Sequence, residues 1–124
     1  MPNINIKRIY DPYQENDGYR ILVDRLWPRG ISKDKAQLFR WSKIVAPSHE
    51  LRKLFHQNSE RFDEFRLKYL EELQTNELIN EELHFICRLC ENHNVTLLYS
   101  AKNIEQNHAT ILKEELIRRL ESSN

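Results

Sequence analysis

The chain has 124 residues, which suits one domain over residues 1–124 and is long enough to bury a sizeable core. Its 19 Lys and Arg residues equal its 19 Asp and Glu residues, which argues against a protein held mainly by nucleic-acid charge. No apolar run approaches the about 20 residues that span a bilayer, the start lacks a signal-peptide pattern, and two cysteines are too few for a disulfide framework. These features predict a cytoplasmic protein with no membrane partner.

The first part of the chain predicts strands separated by loops. Residues 4–10 alternate between apolar and polar side chains, which is typical of a short strand. Asp-Pro and Asn-Asp-Gly mark a loop at residues 11–18. Residues 19–23 contain the continuous run Ile-Leu-Val, as expected for a strand covered on both faces. Ser32 is placed to cap a helical turn at residues 33–37, and a weak alternation predicts a third strand at residues 38–45.

The second part of the chain is mostly helical by its periodicity. Ser48 is a suitable N-cap for the first helix, and residues 95–99 form the clearest strand in the sequence. The residues predicted to face the core at helical spacing are Leu51, Leu54 and Phe55; Phe62, Phe65, Tyr69 and Leu73; Ile79, Leu83, Ile86, Cys87 and Cys90; and Ala109, Leu112, Leu116 and Leu120.

This order of elements predicts a single three-layer α/β domain with a small sheet flanked by helices. In such sheets, ligands bind beyond the carboxyl ends of the strands. Residues 24–30 (the 24–30 loop) and residues 100–107 (the 100–107 loop) are polar segments that follow two apolar strands. We therefore expect the two loops to lie side by side.

Three long segments resemble the YeaO-like branch of the domain-of-unknown-function 488 family. They are Lys-Arg-Ile-Tyr-Asp-Pro at residues 7–12, residues 17–30, and Thr-Leu-Leu-Tyr-Ser-Ala-Lys-Asn at residues 96–103. The resemblance covers nearly the whole chain and implies a largely parallel sheet, but no activity. On spacing alone, residues 10–18 favour a hairpin, since a parallel crossover usually needs about a dozen residues. The resemblance implies parallel strands with a compressed connection instead.

The longer relatives in this family carry a cysteine motif after the last strand that ends in Cys-His-Arg. The corresponding positions here hold Tyr99, Asn107, His108 and Ala109, so only the histidine is retained. This departure counts against any thiol or metal chemistry that those relatives suggest.

The 24–30 loop offers an acid, two arginines and a tryptophan. Arg25 and Arg29 are suited to bind phosphate or carboxylate, because a guanidinium directs two N–H groups the same way. The alternative is that these arginines form an ion pair with Asp24 that merely fixes the loop. Trp27 is predicted either to stack on a ligand or to cover the core. Arg52 is predicted either to be a surface charge or to point into the same pocket.

The 100–107 loop and the start of the last helix supply the remaining candidates. His108 near a helix N-terminus would donate a proton to a bound anion or accept one from it. Tyr99 or Ser100 would orient the ligand, and Lys102 would add positive charge. The structural alternative is turn and capping chemistry, with Asn107 as the helix N-cap.

Four residues of metal-ligand type, His84, Cys87, Cys90 and His93, follow one another at intervals of three. Each step turns about 300° around a helix, so the first and last point to opposite sides and one ion cannot reach all four. The sequence therefore predicts neither a metal site nor a cofactor.

Two functions are compatible with this pattern. The first is a cytoplasmic protein whose pocket binds an anionic small molecule such as a phosphate, with Asp24 or His108 moving a proton if the protein is an enzyme. The second is a non-catalytic regulatory module that binds a nucleic acid, a nucleotide or a protein, although zero net charge disfavours the nucleic acid.

Overall fold

A computed structural model describes residues 3–57 and 59–122, without the side chains of residues 56, 57 and 59. Four strands, β1 (Ile4–Arg8), β2 (Tyr19–Leu22), β3 (Arg40–Trp41) and β4 (Val95–Tyr99), form one sheet in the order β1-β4-β2-β3. Every neighbouring pair is parallel. The predicted α/β fold with a mostly parallel sheet is thus confirmed.

The connection between β1 and β2 is compressed, as the resemblance implied. It contains only one short 3-10 helix, Glu15–Asp17, and the hairpin favoured by spacing alone is wrong. The ten residues between Arg8 and Tyr19 are enough for this crossover. They must return about 17 Å along the sheet and cross one strand, about 10 Å, and an extended chain covers about 3.3 Å per residue.

Five α-helices complete the fold, and the predicted N-caps are confirmed. Ser32 Oγ accepts from Lys35 N at 3.1 Å, Ser48 Oγ accepts from Leu51 N at 3.2 Å, and Asn107 Oδ1 accepts from Thr110 N at 3.0 Å. Each side chain satisfies a backbone N–H that has no partner within its own helix. The helices are α1 (Lys33–Ala36), α2 (His49–Gln57), α3 (Phe62–Thr75), α4 (Glu77–Asn92) and α5 (His108–Ser122).

The two faces of the sheet are covered unequally. On one face, alternate strand residues such as Ile21, Leu97 and Tyr99 pack against α2 to α5 in the main core, which also buries Cys87 and Cys90. On the other face, Leu22 and Leu98 belong to a smaller cluster formed by the segment around α1. The members of this second cluster are Ile9, Leu22, Ala36 and Leu98, with Trp27, Ile31, Leu38 and Trp41 beside them.

The third strand is much shorter than the predicted residues 38–45. It pairs with β2 only at Arg40 and Trp41, after which the chain forms a 3-10 helix at Lys43–Val45. The cause is the burial of Val45 in the main core, where its carbonyl accepts a hydrogen bond from the Tyr69 hydroxyl. Within the described ranges, none of the helices combines the length and apolar character needed to cross a bilayer.

Replacing Gly18 with alanine is expected to lower the free energy of unfolding by about 2 kcal/mol, because the backbone there has a positive φ and no space for a side chain. Gly18 has φ +68°, and an added Cβ would lie 2.1 Å from the carbonyl oxygen of Asn94. Gly30→Ala is the matched control, since Gly30 has φ +76° but no atom within 4 Å of an added Cβ. Urea unfolding should give about 1 kcal/mol for this control. Equal losses for the two variants would contradict the close-approach argument.

Candidate functional site

A cleft of about 420 Å³ lies beyond the carboxyl ends of β2 and β4. The 24–30 loop and the 100–107 loop both line it, so the expected convergence of the two loops is confirmed. Tyr10 after β1, the connection before α2, and α2 and α3 themselves supply the rest of the wall. The lining residues are Tyr10, Asp24, Arg25, Leu26, Trp27, Pro28, Arg29, Ala46, Pro47, Arg52, Phe55, Phe65, Ser100, Ala101, Gln106, Asn107 and His108.

Asp24 joins the two loops at the base of the cleft. It is 8% exposed, and its Oδ2 accepts hydrogen bonds from the backbone N of Ser100 at 3.0 Å and from the Ser100 hydroxyl at 2.7 Å. Because β2 and β4 are parallel neighbours, Asp24 and Ser100 leave the sheet side by side. The Asp24 carboxylate, which follows β2, therefore binds Ser100, the first residue after β4.

His108, the first residue of α5, completes this contact. Its Nε2 lies 3.1 Å from the carbonyl oxygen of Val23 and 3.0 Å from Asp24 Oδ1. A carbonyl can only accept, so Nε2 carries the proton in this arrangement. The Nε2–H is aligned with Val23, and the buried Asp24 Oδ1 receives no aligned hydrogen bond from the described residues. Asp24 and His108 therefore form a close electrostatic pair.

The neighbours of the Asp24 carboxyl favour its ionised form. Burial raises its pKa, but the neighbouring His108 and the two Ser100 hydrogen bonds outweigh burial, and the net pKa lies below the ordinary value of 3.8. A group with a lowered pKa holds a proton weakly, so Asp24 is a poor general base near neutral pH.

The arginines of the cleft do not pair with Asp24. The Arg25 guanidinium donates to the carbonyl oxygens of Ala46 at 3.1 Å and Pro47 at 3.4 Å, which holds the connection before α2 against the 24–30 loop. The guanidinium groups of Arg29 and Arg52 make no hydrogen bond or ion pair with any residue in the described part of the chain. Among the described residues, the basic side chain in contact with Asp24 is His108, and the alternative Asp24–Arg brace is not formed.

Trp27 is fixed by its own contacts. Its Nε1 donates to the carbonyl oxygen of Ile31 at 2.6 Å, and its ring meets that of Trp41 edge-on, with 5.2 Å between centroids. The indole therefore packs over the second cluster while it also lines the cleft. Trp41 is anchored in the same way, because its Nε1 donates to the carbonyl oxygen of Asp24 at 2.7 Å.

Two of the eight predicted site residues do not line the cleft. Tyr99 is 2% exposed in the main core, where burial raises the pKa of its hydroxyl, and Lys102 is exposed on the 100–107 loop. The other six, Asp24, Arg25, Trp27, Arg29, Ser100 and His108, surround the cleft together. The functional role of every one of the eight remains a prediction.

The sequence did not identify the cleft residues that lie outside the loops after β2 and β4. Tyr10 comes just after β1, and its hydroxyl donates to the carbonyl oxygen of Arg29 at 3.0 Å. Its position beyond a third parallel strand end was the signal that could have identified it. Phe55 and Phe65 had the spacing of core residues, and nothing in the sequence indicated that they also reach the cleft.

The described residues contain no group of three or more His, Cys, Asp or Glu side chains arranged to hold a metal ion. In particular, Cys87 and Cys90 lie in the main core as free thiols.

Comparison with known proteins identifies relatives without assigning an activity. The family model described as the inactive DUF488-N3 subclade matches residues 3–124. The chain is 49% identical to the uncharacterised protein YeaO of Escherichia coli strain K12 over 92% of this chain and 96% of that protein. It is 38% identical to the uncharacterised protein Rv3073c of Mycobacterium tuberculosis strain H37Rv, over 91% and 92% of the two chains. No solved structure matches the chain significantly.

Proposed function

We propose that this chain, which belongs to the inactive DUF488-N3 subclade, is a non-catalytic domain that binds a small anionic molecule between its two loops. The observation that carries the proposal is the charge of the cleft. Three arginines line it, and the only carboxylate among the described lining residues is already engaged by His108 and Ser100. A cavity with surplus positive charge favours an anion.

Arg29 and Arg52 are the groups we assign to the anion. Their guanidinium groups have no partner among the described residues, whereas Arg25 already donates to two carbonyls. Arg25 is thus a positioning residue that also adds charge. A phosphate or a carboxylate would meet the guanidinium forks with paired hydrogen bonds. The volume of about 420 Å³ falls within the usual range of small-molecule sites.

The contacts of Asp24 and His108 support binding without catalysis. The Nε2 proton of His108 is directed to a backbone carbonyl, and the Ser100 hydroxyl is directed to Asp24 instead of to His108. A nucleophile activated by a histidine needs the opposite arrangement, with the hydroxyl donating to the imidazole. The description of the subclade as inactive supports the same conclusion.

A small-molecule enzyme remains the second candidate, and the Asp24–His108 contact of 3.0 Å at the cleft favours it. In that case His108 would transfer the proton and Asp24 would stabilise its charged form. Incubating stoichiometric protein with any compound found to bind, and following the compound by proton and phosphorus NMR, separates the two candidates. Conversion of the compound would show that the domain is an enzyme, whereas an unchanged compound supports a binding domain.

Replacing Arg29 with alanine is expected to weaken anion binding by roughly ten- to a hundredfold, since each hydrogen bond to a charged group contributes ~1.5–3 kcal/mol. Calorimetric titration with nucleotides and sugar phosphates measures the effect. Unfolding should be nearly unaffected, because the Arg29 side chain is exposed.

Arg88→Ala provides the matched control for this experiment. Arg88 is also exposed, but it lies on α4 and does not line the cleft. Its loss removes the same charge from the protein without touching the site. Equal weakening in the two variants would mean that net charge, not the cleft, attracts the anion. Failure of every phosphate compound to bind the wild type below millimolar concentration would refute the proposed function.

A further inference from the structure

We infer that the cleft selects a small aromatic anion, that is, a phosphate or carboxylate attached to a flat apolar ring. This inference rests on the proposed function and names the class of molecule that the same site would take. It is carried by the aromatic lining of the cleft and by the way each of those rings is held.

Four aromatic side chains, from four separate parts of the chain, line the same space as the arginines: Tyr10, Trp27, Phe55 and Phe65. Phe55 and Phe65 are stacked on each other, with ring centroids 4.8 Å apart and planes 30° from parallel. Phe62 packs behind Phe55 at 5.4 Å. These rings are therefore held in place before a ligand arrives, which lowers the entropy lost on binding.

The polar atoms of the aromatic lining are already used inside the protein. The Trp27 N–H donates to Ile31 O, and the Tyr10 hydroxyl donates to Arg29 O. The Asn107 side chain is occupied as well, because its amide donates to Asn103 O at 2.9 Å and its oxygen accepts from Thr110 N. This part of the cleft therefore offers mostly carbon surface to the body of a ligand.

Among the described lining residues, the side-chain groups that remain able to donate are mainly the guanidinium groups of Arg29 and Arg52 and the amide of Gln106. Such a site can hold the charged head of a ligand but offers few partners to a body rich in hydroxyl groups. Polar groups that enter a cleft without finding partners lose their hydration and bind weakly. A sugar phosphate should thus gain little over inorganic phosphate, while a flat ring gains from stacking and from leaving water.

Calorimetric titration of the wild-type protein with two sets of probes tests the inference. Phenyl phosphate is compared with inorganic phosphate and ribose 5-phosphate, and benzoate is compared with acetate. Within each set the anionic group is the same, so the ratio of affinities measures the contribution of the group attached to it. We expect the aromatic member of at least one set to bind about tenfold or more tightly than its partners, as stacking of a ring on aromatic side chains would give.

Phe55→Leu tests whether the ring of Phe55 supplies this preference. The substitution keeps an apolar side chain but removes a π face, so it should abolish most of the advantage of phenyl phosphate and leave inorganic phosphate unchanged. Phe85→Leu is the matched control, because Phe85 is another partly buried phenylalanine that packs on the main core but does not line the cleft. Thermal unfolding of both variants confirms that they remain folded.

The outcomes separate this inference from the proposed function. If the simple anions bind but neither aromatic probe exceeds its partners, the aromatic preference is wrong and anion binding stands. If Phe55→Leu weakens inorganic phosphate and phenyl phosphate equally in a folded protein, the ring is structural and the assignment of Phe55 is wrong. If no probe binds below millimolar concentration, both proposals fail together.

Discussion

Asp24→Ala is expected to lower the free energy of unfolding by about 3–5 kcal/mol, because two hydrogen bonds to a charged carboxylate are lost and each contributes ~1.5–3 kcal/mol. Asp24 is the acceptor for two hydrogen bonds from Ser100 and lies 3.0 Å from His108 Nε2. Without the carboxylate, the part-buried N–H and hydroxyl of Ser100 lose their acceptor. The loops would also separate, so anion binding should fall together with stability. Urea unfolding and calorimetric titration measure the two effects.

Two further variants divide this loss into its parts. Ser100→Ala removes only the hydroxyl donor to the carboxylate, so about 1.5–3 kcal/mol is expected, the usual contribution of one hydrogen bond to a charged group. Asp24→Asn keeps the size of the side chain but removes its charge, and its loss should fall between those of the other two. An Asp24→Ala protein within 1 kcal/mol of the wild type would show that the carboxylate does not hold the loops together.

The sign of the Asp24→Asn result also bears on catalysis. Active-site groups are often kept at a cost in stability, so replacing them can stabilise a protein. If Asp24→Asn raises the free energy of unfolding, the carboxylate is held for chemistry, and the enzyme candidate gains support. If Asp24→Asn lowers the free energy of unfolding, the contact with His108 and Ser100 is structural. The hydrogen bonds from Ser100 to Asp24 favour the second result.

The sequence predicted the location of the site because strand direction follows from simple rules. Two apolar runs ended in polar loops, and parallel strands bring such ends to one edge of a sheet. Asp24, Ser100 and His108 could be selected on this basis, and they lie together. Their mutual contacts could not be predicted, because the pattern does not show whether the carboxylate turns toward an arginine or toward the histidine.

Other features depend on packing between distant parts of the chain. The third strand was predicted too long because Val45 is apolar whether it continues a strand or enters the helical core. Tyr99 shares a face with Leu97 at the strand period of two, and this alternation directs it into the core, away from the cleft. The contribution of Phe55 to the cleft results from how α2 and α3 are placed, which helical spacing alone does not specify.

The other large expected effect lies far from the cleft, at Glu115 on α5. Its side chain is 1% exposed, and it accepts hydrogen bonds from Arg118, Arg119 and the Gln74 amide. Burial raises its pKa, but these hydrogen bonds outweigh burial and lower the pKa to about 2. Because Gln74 belongs to α3, the carboxylate links the two helices. None of this was predicted, since the sequence pattern of α5 only placed Ala109, Leu112, Leu116 and Leu120 on its buried face.

Glu115→Gln is expected to cost about 3 kcal/mol at neutral pH, the free energy that corresponds to lowering a carboxyl pKa by about 2.5 pH units. A carboxyl whose folded pKa is lowered stabilises the protein above its unfolded pKa of 4.5, and this contribution disappears as the pH falls through about 2. The difference between wild type and variant should therefore be full at pH 6, shrink below pH 4.5, and nearly vanish at pH 2. Chemical unfolding at a series of pH values measures it.

Glu114→Gln is the matched control, one residue away on the same helix. Glu114 pairs with Arg66, but 48% of its side chain is exposed, so the pair is screened by water and should contribute less than about 1 kcal/mol. Glu114→Gln removes the same charge from the same helix without touching the buried carboxylate of Glu115. Equal losses for the two variants, or a Glu115→Gln deficit that persists unchanged at pH 2, would mean that charge at Glu115 does not hold α5 to α3.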